Sequence, residues 1–198
     1  MLPREFFERD PVTCARELIG KIFTWNGCSG RIVETEAYSE KNDEAAHLHF
    51  RPSSREFLAD HKPGAAYVYL NYGMYWLSNV LIKGETNGFV LFRALEPLEG
   101  ISKMQKRRKR EKLTDLCSGP GKICMALAMN GDDHGGSFVK SPKRCFREPT
   151  PDEQLLTEIE IETDVRIGIS RAVDLPWRFL AKGSKHVSKP VLKPRKKK

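Results

Sequence analysis

Two strand-like segments separated by a single glycine limit the possible folds of this chain more than any other pattern in it. Tyr67–Tyr72 is rich in aromatic residues, which favour pleated strands, and Met74–Ile82 has the same character. Gly73, between them, tolerates the positive φ that a tight turn requires. The two segments therefore predict a β-hairpin.

Strand and helix patterns do not alternate regularly along the rest of the chain. Further strands are predicted at Lys21–Trp25, Arg31–Tyr38, Phe89–Arg93, Val165–Ile169 and Trp177–Leu180. Helices are predicted at Pro11–Ile19, Leu98–Lys112, Pro120–Met129 and Pro151–Ile159. Residues 40–65 and 131–149 are polar or rich in Gly and Pro, and are predicted to be irregular. The irregular order favours a single α+β domain over a doubly wound fold.

The composition is that of a folded, water-soluble protein. The chain has 198 residues, 39% hydrophobic and 30% charged, which is enough for one domain with its own core. No apolar run approaches the ~20 residues of a membrane span, and the first ten residues lack the apolar segment of a secretory signal. We therefore expect an intracellular protein without membrane contact. Five widely spaced cysteines without a C-x-x-C pair predict neither disulfides nor a zinc knuckle.

The net charge of +8 is concentrated near the C-terminus. Residues 1–181 carry 26 basic and 26 acidic residues, whereas residues 182–198 carry eight basic residues and no acidic one. A second basic cluster extends from Lys103 to Lys112. Basic clusters on a neutral body indicate a polyanion partner such as nucleic acid, although a solubilising tail and a solvated helix face explain them equally well. We divide the chain into a domain at 1–185 and a basic, flexible tail at 186–198.

Two short motifs fail as nucleotide or metal sites. Ser118–Lys122 is similar to part of a phosphate loop, but Leu116 and Ile123 stand where that pattern needs Gly and Ser or Thr. A helix N-terminus at this place still suits a DNA phosphate. His47–His49 has no second ligand pair at zinc spacing. The sequence therefore predicts no metal and no organic cofactor.

Acidic and aromatic side chains are concentrated in three stretches, Arg31–Tyr38, Glu44–His47 and Tyr67–Tyr75. In an extended strand every second residue from Ile32 to Tyr38 shares one face, and two of these are glutamates. Aromatic rings near basic clusters can stack nucleic-acid bases, and a carboxylate among them can act as a general base on water. An aromatic core with surface acids explains the same pattern, so the residues alone leave both interpretations open.

Taken in order, these stretches resemble the alkyladenine (3-methyladenine) DNA glycosylase family of the non-helix-hairpin-helix type. The resemblance extends from Phe6 to about Ser188 and is loose over 48–64 and 131–160. It includes Glu34–Tyr38, Glu44–His47, Tyr67–Tyr75, Arg93–Gly100, Leu116–Lys122 and Arg166–Gly168. It implies a single mixed domain of the α+β class, with a largely antiparallel, curved sheet and a protruding β-hairpin. It also implies a monomeric enzyme that hydrolyses the N-glycosidic bond of damaged purines in double-stranded DNA.

The resemblance assigns the catalytic roles. Glu36 is expected to be the general base that deprotonates the water attacking C1′ of the flipped nucleotide. Arg93 and the carbonyl of Ile167 are expected to hold this water. Glu34 is expected to be a structural acid, because only one water needs a base. No lysine matches a Schiff-base position, which implies a monofunctional enzyme that leaves an abasic site.

The resemblance also implies how the damaged base is bound. Tyr38 and His47 are expected to sandwich the extruded base against Tyr69, with Ala37 as a further contact. Asn79 is expected to crowd the 2-amino group of guanine and so to disfavour the normal base. The expected substrates are 3-methyladenine, 7-methylguanine, hypoxanthine and ethenoadenine.

Three further residues are expected to contact DNA: Tyr72, which would fill the vacated base stack, Met74 and Lys122.

Two alternatives remain. One is a non-catalytic protein on the same fold that binds damaged DNA, although pure binding needs neither Glu36 nor Arg93. The other is a glycosylase for RNA or free nucleosides, for which a wedge at Tyr72 would serve no purpose.

Overall fold

An antiparallel sheet of eight strands and five α-helices form the main regular structure of residues 1–154 and 158–191, the part of the chain that the computed structural model describes. The strands are β1 Ile22–Trp25, β2 Cys28–Ser39, β3 Ala66–Asn71, β4 Tyr75–Lys83, β5 Asn87–Glu99, β6 Arg144–Arg147, β7 Ile161–Asp164 and β8 Arg178–Ala181. The helices are α1 Pro11–Glu17, α2 His47–Phe50, α3 Pro52–Asp60, α4 Ile101–Arg108 and α5 Pro120–Leu127. The sheet is open, and the predicted α+β class is confirmed. No helix of the described residues has the length and apolar character needed to cross a membrane.

The strand order is β3-β4-β5-β2-β1-β6, and β8 pairs with both β2 and β7. The long strands β2 and β5 pair from Ser29↔Glu99 to Ser39↔Gly88. The other edge of β2 pairs first with β1 and then, at Glu34–Glu36, with β8. The backbone of this acidic stretch is therefore hydrogen-bonded to a strand on each side, which fixes its position.

A β-bulge at Val33 alters the side-chain alternation of β2. Ile32 pairs with Leu95 and Glu34 pairs with Ala94, so Val33 has no residue of its own opposite it. Ile32 and Val33 both lie in the main hydrophobic core. The face predicted to run from Ile32 to Tyr38 is thus interrupted at its start, since a bulge shifts the alternation by one residue.

Two hydrophobic clusters position the elements around the sheet. The larger one contains an aromatic group, Phe23, Phe92, Phe138 and Phe146, with ring centroids 4.9–5.8 Å apart. The smaller one consists of Leu48, Phe57, Ala65, Tyr67, Leu81 and Phe89. It packs α2 and α3 against strands β3, β4 and β5, and thereby brings the start of α2 close to the hairpin.

The predicted β-hairpin is present and protrudes. Its strands pair from Ala66↔Val80 to Asn71↔Tyr75. Tyr72 and Gly73 at the turn both have positive φ, 51° and 67°, as a turn matching the right-handed twist of the strands requires. The hairpin tip, Leu70–Tyr75, carries four exposed large apolar side chains, Leu70, Tyr72, Met74 and Tyr75.

Several predicted elements differ in extent. Residues 40–65 were predicted to be irregular but contain α2 and α3. The apolar pattern of these helices is weak, because each buries only one large apolar side chain, Leu48 in α2 and Phe57 in α3. The basic helix starts at Ile101 and not at Leu98, because the preceding residues pair with β2 as part of β5. The predicted loop 131–149 contains β6, which pairs with β1.

The last third of the chain departs further from the prediction. Where a helix was predicted at Pro151–Ile159, Pro151–Glu153 form a short 3-10 turn and Gln154 and residues 158–160 are not helical, while residues 155–157 lie outside the described residues. The strand predicted at Val165–Ile169 is a loop, since β7 ends at Asp164. In the predicted tail, Ser188 and Lys189 make hydrogen bonds to Glu34 and Arg178, while residues 192–198 lie outside the described residues.

Candidate active site

A cavity of about 940 Å³ opens between the hairpin, the region around α2 and the loop at 167–171. Its wall includes the predicted pocket residues Tyr38, His47, Tyr69, Asn79, Arg93 and Ile167. These residues come from five different strands and helices and one loop, which the sheet and the smaller hydrophobic cluster bring together. This volume lies within the range of about 300–1,000 Å³ that small-molecule sites commonly occupy.

Glu36 is fully buried directly behind the cavity wall, where it contacts the lining residues Tyr38, Arg93 and Ile167. Its Oε1 accepts a hydrogen bond of 2.7 Å from the backbone N–H of Ile167. Its Oε2 accepts one of 2.8 Å from the Tyr38 hydroxyl and one of 3.2 Å from Nη1 of Arg93. A carboxylate has about four lone-pair positions, so these three donors leave room for one further donor such as a water.

Arg93, on β5, joins Glu36 to Glu34. Its Nε donates to Oε1 of Glu34 at 2.9 Å, while Nη1 donates to Glu36. Burial alone would lower the pKa of Arg93, but the negative charges of Glu36 and Glu34 outweigh burial and raise this pKa. The guanidinium is therefore a permanent positive charge held beside the candidate base.

Glu34 is also fully buried, and its carboxylate is enclosed by donors. Besides Arg93, it accepts hydrogen bonds from Nε of Arg178 at 2.8 Å and from both the hydroxyl and the N–H of Ser188, at 2.8 and 2.5 Å. Arg178 also bonds Asp164 at 2.9 Å. With its lone pairs used in this way, Glu34 fits the structural role expected for it.

His47 and Tyr69 form an aromatic wall of the cavity. Their ring centroids are 4.6 Å apart in an edge-on arrangement, and Nδ1 of His47 is 3.1 Å from the Tyr67 hydroxyl. Burial, together with the positive charge of Arg51, lowers the pKa of His47 to about 4. The imidazole is consequently neutral near pH 7. Burial also raises the pKa of Tyr69, which keeps this phenol neutral.

Tyr38 faces the cavity and is backed by a cation. The guanidinium carbon of Arg166 lies 4.7 Å from the centroid of the Tyr38 ring and 5.3 Å from that of Trp177. Arg166 makes two hydrogen bonds of 2.7 Å to Asp43, and both side chains are fully buried. Asp43 in turn accepts from the backbone N–H groups of Ser39 and Ala45. This ion pair thus connects Tyr38, the segment leading to α2 and the loop at 167–171.

Asn79 lies buried on β4 at the cavity wall, and its side-chain amide donates to the backbone carbonyl of Tyr67 at 3.1 Å. The structure places the Ala37 side chain elsewhere. Ala37 is fully buried in the main core, because alternation along β2 directs it away from the face of Glu36 and Tyr38.

The exposed hairpin tip and the start of α5 flank the cavity mouth. Tyr72 is 82% exposed and Met74 is 66% exposed. Gly121 of α5 packs so closely on the hairpin that a Cβ there would lie 3.1 Å from that of Tyr75. Nζ of Lys122 donates to the Ser118 hydroxyl at 3.1 Å. An apolar projection beside a cationic helix start suits contact with nucleic acid.

Asp43, Arg51 and Ser188 also belong to the site but were not predicted from the sequence, and no role was predicted for Arg166. Nothing local distinguishes these residues from solvated ones, since burial of a charge depends on partners far away in the chain. Arg166 lies within one of the motifs that carry the family resemblance, and this was the only signal available.

Comparison with known proteins gives a consistent result. The family model described as "Methylpurine-DNA glycosylase (MPG)" matches residues 5–185. A Rhizobium etli protein named "Putative 3-methyladenine DNA glycosylase" is 42% identical over 187 residues, which cover 94% of this chain and 88% of that protein. Proteins of the same name from Agrobacterium fabrum and Chlorobaculum parvum are 43% and 39% identical, over 95% and 100% of this chain and 92% and 95% of their own lengths.

Proposed function

The chain belongs to the methylpurine-DNA glycosylase family, and we propose that it releases 3-methyladenine, 7-methylguanine, hypoxanthine and ethenoadenine from double-stranded DNA. The proposed reaction is hydrolysis of the N-glycosidic bond, which leaves an abasic site for base excision repair. The observation that carries the proposal is a buried carboxylate, Glu36, which is hydrogen-bonded to three wall residues of an aromatic cavity beside an exposed apolar hairpin tip.

The hairpin tip accounts for access to the base. A base inside the duplex cannot reach a buried carboxylate, so it must be flipped out at a cost of a few kcal/mol. Tyr72 is the most exposed large apolar side chain of the described residues, and inserting it into the base stack would offset part of that cost. Met74 and Lys122 would contact the adjacent DNA.

The cavity wall accounts for recognition of alkylated purines. Alkylation at N3 or N7 gives the purine a positive charge, which aromatic faces attract by cation–π interaction. Tyr38 and Tyr69 provide such faces, and His47 is neutral near pH 7 because its pKa is lowered to about 4. A neutral imidazole stacks on the base without repelling its charge. Asn79 would crowd the 2-amino group of normal guanine.

Glu36 accounts for the chemistry. The acceptor position left on its carboxylate would bind the water, deprotonate it as it attacks C1′, and stabilise the oxocarbenium-like sugar by its negative charge. Arg93 and the carbonyl of Ile167 would help to hold the water. The two alkylated purines, 3-methyladenine and 7-methylguanine, are cationic and leave without being protonated, so for them a single carboxylate suffices where ordinary glycosidases use two.

The direct test is single-turnover base release from duplex oligonucleotides that each carry one of the four lesions. Wild-type protein is expected to release at least one of them, and Glu36→Gln is expected to bind the same duplex but to lose at least ~100-fold in rate, as removal of a general base does. Binding of damaged DNA without release of any base by the wild type would instead identify a non-catalytic binding protein.

The monofunctional mechanism has a separate test. Sodium borohydride added during turnover should trap no covalent adduct between protein and DNA, because no lysine is expected to form a Schiff base. A trapped adduct of the combined mass would contradict hydrolysis by an activated water.

A further inference from the structure

The C-terminal segment reaches the rear of the candidate active site. Ser188 lies three residues beyond the end of the match to the family model at residue 185. The segment is held there by its backbone, since Nη2 of Arg178 donates to the carbonyl of Lys189 and the N–H of Ser188 donates to Glu34 at 2.5 Å. The position of this segment is therefore set by the buried charges of β2 and β8.

The hydroxyl of Ser188 has two partners in the buried charge network. It donates to Oε1 of Glu34 at 2.8 Å and accepts from Nη2 of Arg93 at 3.3 Å. One hydroxyl thus bridges the anion and the cation of the Glu34–Arg93 pair and uses both its donor and an acceptor position.

These contacts give each of the three nitrogens of the Arg93 guanidinium a hydrogen-bond partner. Nε binds Glu34 at 2.9 Å, Nη1 binds Glu36 at 3.2 Å, and Nη2 binds Ser188. A planar group held at all three nitrogens cannot rotate about its axis. Without the hydroxyl, Nη2 loses this acceptor and Glu34 loses one of its donors, so the contact between Arg93 and Glu36 is free to change.

We propose that Ser188 is a positioning residue of the reaction: acting on Arg93 directly and through Glu34, it holds the guanidinium against Glu36. The inference rests on the proposed function for its effect on the reaction rate. The first part of the predicted basic tail then contributes to the active site, and the hydroxyl, which does not touch the substrate, controls the geometry of the groups that do.

The test compares three full-length variants. Ser188→Ala removes the bridging hydroxyl, Ser188→Thr keeps it, and Ser184→Ala removes a hydroxyl of the same segment that accepts only a local bond from the N–H of His186. At saturating protein, Ser188→Ala should lower the rate of base release about ten- to a hundred-fold, as a misplaced catalytic group does. Ser188→Thr and Ser184→Ala should stay within about threefold of wild type, because neither change affects the bridge.

Two further measurements separate positioning from a structural role. The dissociation constant for the lesion-bearing duplex should change little in Ser188→Ala, because the effect falls on the reaction step, and the variant should remain folded at the assay temperature. The rate of base release in the double variant Glu34→Gln/Ser188→Ala should fall by less than the two single losses combined, since both changes break the same link to Arg93. Equal losses of rate in Ser188→Ala and Ser184→Ala, or a normal rate in Ser188→Ala, would overturn the proposal.

The position of Arg93 can be followed without any reaction. Its Nε–H, bonded to Glu34, should give an NMR signal that is protected from solvent exchange, identified by its loss in Arg93→Lys. Ser188→Ala should shift this signal or speed its exchange, whereas an unchanged signal would contradict the proposal even if the wild type released no base. If the alanine variant does not fold, Ser188→Cys, with a weaker donor of similar size, takes its place.

Discussion

The buried ion pair between Asp43 and Arg166 should dominate the stability of the pocket. Asp43→Asn keeps the shape of the side chain but removes its charge, and so leaves the Arg166 guanidinium buried without a counter-charge. Both side chains are fully buried and are joined by two hydrogen bonds of 2.7 Å. Removal of one partner from such a pair typically costs about 3–5 kcal/mol.

The expected loss lies at the lower end of that range. Arg166 still donates to the carbonyls of Ala37 and Ala172 and still packs on two aromatic rings, so part of its stabilisation remains. We expect a loss of about 3 kcal/mol in the free energy of unfolding. For a domain of this size, that corresponds to a fall of about 6–12 °C in melting temperature.

The assay is urea unfolding followed by tryptophan fluorescence at pH 7, with calorimetry for the melting temperature. Glu17→Gln is the matched control, because the Arg9–Glu17 pair has nearly the same length, 2.8 Å, but its side chains are 37% and 48% exposed. The control should lose about 0–1 kcal/mol. Adding Arg166→Met to Asp43→Asn should recover stability, since it removes the unpaired charge. If the two single variants differ by less than about 1 kcal/mol, the argument from burial is refuted.

Three further predictions concern the cavity and the hairpin. Tyr72→Ser should lower the affinity ratio of lesion-bearing over undamaged duplex at least ~5-fold, as loss of one stacking contact does, with no change in melting temperature; an unchanged ratio in a fluorescence-anisotropy titration would exclude a wedge. Asn79→Ala should raise the release of normal guanine from undamaged DNA, measured by mass spectrometry, and no increase would exclude its role in selectivity. Folding lowers the pKa of His47 from its ordinary 6.5 to about 4, so between these values the unfolded chain binds a proton that the folded protein does not. The free energy of unfolding should therefore fall as the pH drops from 6.5 to 4, with a slope of up to about 1.4 kcal/mol per pH unit. A His47→Gln variant with the same pH dependence in urea titrations would contradict this.

Local patterns in the sequence were enough for several elements. The hairpin followed from aromatic segments on either side of Gly73, and α1 followed from Asp10, whose carboxylate caps the helix, and Pro11 at its first position. These signals are local because they act on residues a few positions apart. The short helices α2 and α3 were missed, since each owes its position to a single buried apolar residue and not to a repeating pattern.

The candidate site shows the same division. Its aromatic and acidic residues could be recognised through motifs that resemble a known family, and the cavity gathers most of them. Ala37 was the exception, because side-chain alternation on β2 places it in the core. The resemblance placed Arg93 and Ile167 near Glu36, but the hydrogen bond from the N–H of Ile167 could not be predicted, since it comes from a loop that was expected to be a strand.

By itself, the sequence determined the class of fold, the hairpin and the identity of the candidate base, because turn residues, strand patterns and family motifs can be recognised without knowing the path of the chain. Only the tertiary structure decided which charges are buried and what neutralises them. Asp43 and Arg166 are 123 positions apart, and Glu34 and Ser188 are 154 apart. The cost of burying a charge depends on its neighbours in space, and a folded chain brings such neighbours together from positions that no local pattern connects.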